Sequence, residues 1–241
     1  MKKEFIALLD SGVGGISTLL ELKKLLPNEN YLYLGDNENA PYGDKSIYKL
    51  KQLLISNLCL LNEYNLKCVV VACNTLSVSL KGFIEDFCGV KTFGVYPSVQ
   101  SHIFKNYKTL LLATTNTARK YQTITGLKTL ALPKLAIDIE NNINDLSKVN
   151  VLSHLKDAGF NFAHYDSVIL GCTHYYFIKN QIIDHLKPQF VDCCSSWTAV
   201  KVKSHLLKYN NVKNTRKNQT IFIGNSSLKN QIFYNKVVNA Y

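Results

Sequence analysis

Two cysteines stand in near-matching settings 99 residues apart. One follows Val69-Val70-Val71-Ala72 as Cys73-Asn74-Thr75, the other follows Val168-Ile169-Leu170-Gly171 as Cys172-Thr173-His174. Each apolar run reads as a buried parallel strand. Each cysteine is followed at once by residues with amide, hydroxyl or imidazole groups. A strand that ends in a thiol and a polar loop puts the thiol where open α/β sheets place their ligands. Two such thiols facing each other across a cleft suit one reaction type well: moving a proton from one face of a carbon to the other.

A cysteine alone is more often core than chemistry, so the neighbours matter. A free thiol titrates near about 8.5 and needs a helix N-terminus or a cationic group to ionise more readily. Asn74 and Thr75 on one side, and Thr173 and His174 on the other, offer donors to a carboxylate, and His174 can tune the Cys172 thiol or give it a proton. A third motif, Asp10-Ser11-Gly12-Val13-Gly14-Gly15, also lies between a strand and a helix. It lacks the lysine of a phosphate loop, and Asp10 would repel phosphate. Asp10 can serve as a plain helix cap, or it can take a substrate ammonium and assist a proton transfer. Tyr42 and Gly43, after Pro41, form a turn able to pack or to cover a ligand.

The elements expected around these residues alternate. Strands are expected at 5–9, 31–34, 67–72, 91–95, 110–114, 129–132, 168–171, 189–192 and 220–224. Helices are expected near 16–26, 46–64, 76–87, 136–160, 176–186 and 196–209. This alternation predicts an α/β protein of two similar domains, each a mainly parallel sheet flanked by helices, with the active site in the cleft between them. The first domain is expected over 1–95 plus 205–241, carrying Asp10 and Cys73, and the second over 96–204, carrying Cys172. Pro97 marks the crossover.

Composition narrows the class. An apolar fraction of 46% over 241 residues is globular, and no apolar run is long enough to span a bilayer. The basic, then apolar start ends in Asp10 with no small-residue cleavage site, so it is expected to be a first strand of a cytoplasmic protein. Seven cysteines, odd in number and irregularly spaced, favour free thiols, and no C-x-x-C suggests zinc or thioredoxin-like redox chemistry. The net charge of +11 invites a nucleic-acid reading. The lysines are scattered, however, and the densest group, Lys201 to Lys217, has no aromatic stacking motif, so nucleic acid is not expected as a partner.

Taken together and in order, Asp10–Gly15, Gly35-Asp36 with Pro41-Tyr42-Gly43, Ala72–Thr75 and Gly171–His174 resemble the glutamate racemases of the cofactor-independent aspartate/glutamate racemase family. The likeness covers nearly the whole chain. It implies interconversion of L- and D-glutamate without pyridoxal phosphate, other cofactor or metal, in supply of D-glutamate for peptidoglycan. It implies that Cys73 and Cys172 are the two proton-transfer groups, with Asp10, His174 and Glu140 in support. The substrate contacts it implies are Asp10, Ser11, Tyr42, Gly43, Asn74, Thr75, Thr114, Thr117, Thr173 and His174, and the assembly a homodimer. The segment 94–98 is one residue shorter than the usual form, and 223–227 lacks the expected Thr-Ser-Gly-Asp. An aspartate racemase is the alternative within the family. A redox pair of cysteines and a nucleic-acid binder are the alternatives outside it.

Overall fold

A computed structural model describes residues 4–103, 105–209, 211–212, 218–224, 233–234 and 236. The chain begins β1 (Glu4–Asp10), α1 (Ile16–Leu25), β2 (Tyr31–Gly35), α2 (Ile47–Asn62), β3 (Asn65–Val71), α3 (Asn74–Cys88) and β4 (Thr92–Gly94). It continues with α4 (Val99–Ile103), β5 (Thr109–Ala113), α5 (Thr115–Tyr121), β6 (Leu127–Ala131), α6 (Pro133–Asn141) and α7 (Val151–Asp157). Then follow β7 (Ser167–Gly171), α8 (Lys179–Leu186), β8 (Phe190–Asp192), α9 (Ser195–Lys208) and β9 (Thr220–Ile223).

Two parallel sheets result, ordered β4-β3-β1-β2-β9 and β6-β5-β7-β8. Without β9, both have the same order: the first strand lies between the second and the third, and the fourth lies outside the third. The third strands, β3 and β7, are the ones that lead into Cys73 and Cys172. The strands read as apolar runs because both faces are covered. Ile6 and Leu8 face a core cluster that continues through Leu110, Leu112 and Leu170 of the other sheet, so the lobes share one interior. Phe5, Ala7 and Leu9 face the opposite side, against α2 and α3. Leu111, Ala113 and Ile169 face a third cluster. The helix α9 straddles residue 204 and packs along α1.

Three expectations are corrected. The single helix expected over 136–160 is broken into α6, a 3₁₀ turn at Leu146–Lys148 and α7. Asn142 turns its amide back onto Asp138, and Asn150 caps α7 by accepting from Ser153 N–H, so polar side chains compete with the helical backbone there. Pro133 does not merely close a strand; it opens α6 as its first residue, where a missing N–H costs nothing. The helix expected from 176 begins as a 3₁₀ turn at Thr173–Ile178 before α8. Of the basic C-terminal group, Lys213, Arg216 and Lys217 lie outside the described residues, as does 225–227 of the departing segment.

Candidate active site

The two cysteines reach one cleft from the equivalent strand ends. Cys73 is the N-cap of α3 in extended backbone, and Cys172 holds the same place before its 3₁₀ turn. Between them lie Ser11, Tyr42, Gly43, Asn74, Thr75, Thr114, Thr173 and His174. The cavity is only about 10 Å3, the room of roughly one water. Both cysteines are buried, and all seven are free thiols.

On the Cys73 side, Asp10 ends the neighbouring strand and is fully buried. Its Oδ1 accepts from Gly12 N–H at 2.9 Å and its Oδ2 from the Thr173 hydroxyl at 3.3 Å. Burial pushes the carboxyl up to about 6, against the pull of His174 and the loop N–H groups. Burial, then the Asp10 charge, push the Cys73 thiol up to about 12, while hydrogen bonds from Leu76 N–H and Ser11 draw it down. At neutral pH Cys73 is therefore a thiol.

On the Cys172 side the helper is an imidazole. His174 Nδ1 stands 3.7 Å from Cys172 Sγ, and its Nε2 lies 2.6 Å from Glu140 Oε2. Burial alone would lower His174, but the hydrogen bonds and charges of Cys172 and Glu140 outweigh it and hold the ring well above its ordinary value. Glu140 is displaced the matching way: burial raises it, and the bonds to His174, Val13 N–H and Asn37 bring it below the usual carboxylate range. The pair is a buried imidazolium–carboxylate with its charge satisfied on several sides.

Glu140 also joins the lobes. From α6 it accepts Val13 N–H at 3.0 Å and Asn37 Nδ2 at 2.5 Å, both from the first lobe. The glycine loop makes this approach possible. A Cβ on Gly12 would lie 2.5 Å from Glu140 Oε2, and one on Gly14 would lie 2.4 Å from Thr173 Oγ1 and 2.6 Å from His174 Nδ1. Tyr42 is clamped by its hydroxyl donating to Asp36. Thr75 and Thr114 hydroxyls bridge the lobes at 3.1 Å. Asn74 donates to Val95 O at 3.2 Å, leaving its buried Oδ1 without a protein partner.

Thr117 is the exception among the candidates. It is fully buried in the first turn of α5 and its hydroxyl has no partner, whereas Asp10 and Glu140, which also stand behind the lining, bond to Thr173 and His174. Sequence reasoning gave no role to Asn37, Tyr33 or Asn116. Asn37 holds Glu140, Tyr33 donates to Gly12 O at 2.7 Å, and Asn116 reaches Gly43. Asp36 stood inside a quoted motif, and its place six residues before Tyr42 was the available signal. Among the described residues no cluster of His, Cys, Asp and Glu is arranged to hold a metal ion, and no helix is long and apolar enough to cross a membrane.

Two parallel-sheet lobes with duplicated strand order, and a thiol from each at one closed cleft, define the class of two-lobed α/β amino-acid racemases. No protein-family model matches the sequence. The chain is 32% identical over 239 residues to the glutamate racemase of Clostridium novyi, covering 94% of this chain and 92% of that one. Its structure is similar to a glutamate racemase isoform of Bacillus anthracis, with TM-score 0.85, 25% identity and coverage of 100% and 96% of the two chains. The fold is also that of the Francisella tularensis glutamate racemase solved with D-glutamate, with TM-score 0.81, 21% identity and coverage of 99% and 94%. The chain belongs to the glutamate racemase family, and its activity is that isomerase activity.

Proposed function

We propose that this chain racemises glutamate by a two-base mechanism in which Cys73 and Cys172 are the proton-transfer groups. The observation that carries the reading is that each thiol meets the cleft beside its own acid/base partner, Asp10 for one and His174 for the other. In one direction Cys73 passes its proton to Asp10 and, as thiolate, takes the α-proton of the substrate. Cys172 delivers its proton to the opposite face of the carbanion, and the His174 imidazolium reprotonates Cys172. Solvent carries the proton on Asp10 back to His174 when the cleft reopens, and the reverse reaction retraces these steps. The transfer from a thiol near 12 to a carboxyl near 6 is steeply uphill from the protein groups alone. A bound substrate ammonium supplies the cation that favours the thiolate.

Donors at both cysteine loops, from Ser11, Asn74, Thr75 and Thr173, hold the α-carboxylate as charge develops on it. Thr114, Tyr42 and Gly43 cover the remaining substrate, and Glu140 keeps His174 charged. The cavity is smaller than glutamate, so the lobes part to admit substrate and close to exclude water from the carbanion. We read the lobes as 1–95 plus 205–241 and 96–204, and the assembly as a homodimer in the cytoplasm making D-glutamate for peptidoglycan. The test is proton NMR of the purified protein with L-glutamate in D₂O and no added cofactor, followed by chiral analysis. Loss of the α-proton signal together with D-glutamate supports the reading. Exchange with aspartate alone would move the substrate, and no exchange with either would end the proposal.

A further inference from the structure

The loop at 41–45 covers the cleft and belongs to the first lobe. It is anchored there from below: Tyr42 donates to Asp36, and the same carboxylate takes Asn39 Nδ2 at 2.8 Å and Asn57 Nδ2 at 3.3 Å. Lys45 N–H closes the turn onto Tyr42 O at 3.2 Å. The loop therefore moves with its lobe. From the opposite lobe one residue reaches over it twice. Asn116, on α5, donates its backbone N–H to Gly43 O at 3.0 Å and its side-chain Nδ2 to Lys45 O at 2.9 Å.

We propose that Asn116 is a positioning residue, a clasp that fastens the 41–45 loop to the second lobe and holds Tyr42 and Gly43 over bound glutamate. Other hydrogen bonds across the cleft run through groups already given a part in binding or proton transfer: Thr173 to Asp10, Thr75 to Thr114, and Val13 and Asn37 to Glu140. Asn116 differs in that both of its bonds run to backbone carbonyls of the covering loop itself, and it does not line the cavity. Closure is what it contributes: the cavity has room for about one water, so the lobes part to admit glutamate and the clasp re-forms over the bound substrate to exclude water. Gly43 makes the clasp possible by its size: a Cβ there would lie 2.4 Å from Thr114 Cβ, and the loop could not come down to Asn116. Its side-chain bond is half of the clasp, and a change of side chain removes that half while leaving the backbone bond.

The inference rests on the racemase reading for its kinetic consequence but not for its structural one, so the experiment has two arms. Asn116→Asp keeps the shape, loses the donor and sets a carboxylate against the Lys45 carbonyl. Hydrogen–deuterium exchange of the unliganded protein is read at the Lys45 and Asn116 amides. Both are expected to be protected in the wild type and to exchange about tenfold faster in the variant, with the sheets unchanged. In steady-state kinetics KM for both glutamate enantiomers is expected to rise about fivefold while kcat stays within about twofold. Asn116→Ala should move both readouts the same way by less. Unchanged exchange at these amides, or an unchanged KM in an Asn116→Asp protein that melts at the wild-type temperature, overturns the clasp. A large fall in kcat at constant KM overturns it too, since that would put Asn116 in the chemistry. If the wild type fails to racemise glutamate, the function reading falls, and the exchange arm still decides the clasp.

Discussion

The two lobes use one scaffold and opposite electrostatics. Leu9 pairs with Val71, so Asp10 comes level with Ala72, one residue before Cys73. In the second lobe the position level with Gly171, one residue before Cys172, is Ala113. The carboxylate of the first lobe has no counterpart there. The second lobe instead places its helper two residues after the cysteine, as His174, where the first lobe has Thr75. Duplicated backbone thus brings two thiols to one cleft, while the substitutions around them set a buried carboxylate beside one and an imidazole beside the other. On the proposed two-base mechanism a turnover in one direction uses Asp10 as acceptor and His174 as donor, and the reverse turnover exchanges those roles.

The comparison breaks most sharply at the sulfurs. Cys73→Ser and Cys172→Ser are each expected to lower racemisation by about 10⁴-fold in both directions, with folding retained. Chiral analysis of both starting enantiomers, beside a melting curve, checks this. Normal turnover by either variant would sink the two-thiol reading.

Removing the carboxylate tests the accepting side alone. Asp10→Asn is expected to lower kcat/KM by about 10³-fold and to abolish the acid limb, which in the wild type should rise through pH about 6. The stability consequence has the opposite sign. The folded carboxyl lies at about 6 against 3.8 in the open chain. Its contribution is therefore fully present below pH 3.8 and lost as pH rises through 6. Asp10→Asn should be more stable than the wild type at pH 8, by up to about 3 kcal/mol, and lose that advantage near pH 4. Denaturant melts at the two pH values decide it, and an advantage independent of pH would show that Asp10 is not strained by burial.

On the donating side, Glu140→Gln leaves His174 a hydrogen-bond partner but no counter-charge. The expected loss in kcat is about 10²-fold, with the alkaline limb of the pH profile moved down because His174 gives up its proton more easily. A pH profile superimposable on the wild type would remove Glu140 from this role.

How far these features could be seen without coordinates follows the range of each interaction. The strands announced themselves as short apolar runs, since both faces of each sheet are covered. The cysteine loops did so because a thiol followed by small polar groups at a strand end is an unusual local pattern. The glutamate at 140 was visible only through family resemblance, because its partners lie 34 and 127 residues away. The helix break after Asn141 depends on Asn142 folding back on Asp138, a rotamer choice that periodicity does not report. α5 was missed because it begins in Thr115-Asn116-Thr117, residues that favour caps and turns over helix interiors, and packing of Ala118 decides otherwise. The asymmetry of the lobes lay in plain view as Thr75 against His174. Its meaning required the register that sets Asp10 against Ala113.

The smallest expected effect falls at that swapped position. Thr75 holds in the first lobe the place of His174 in the second, yet its hydroxyl shares a 3.1 Å hydrogen bond with Thr114 and touches no titrating group among those bonds. Thr75→Val keeps the shape and leaves the buried Thr114 hydroxyl unpaired, at a cost of about 1–2 kcal/mol in stability. Because the bridge also joins the lobes, KM should rise about threefold to tenfold, since substrate and transition state lose the same closure. The pH profile should keep both limbs where they are, because Asp10 and the His174–Glu140 pair are untouched. A shift of either limb in Thr75→Val would mean that Thr75 does in its lobe some of what His174 does in the other, and the two halves would be more alike in chemistry than their charges suggest.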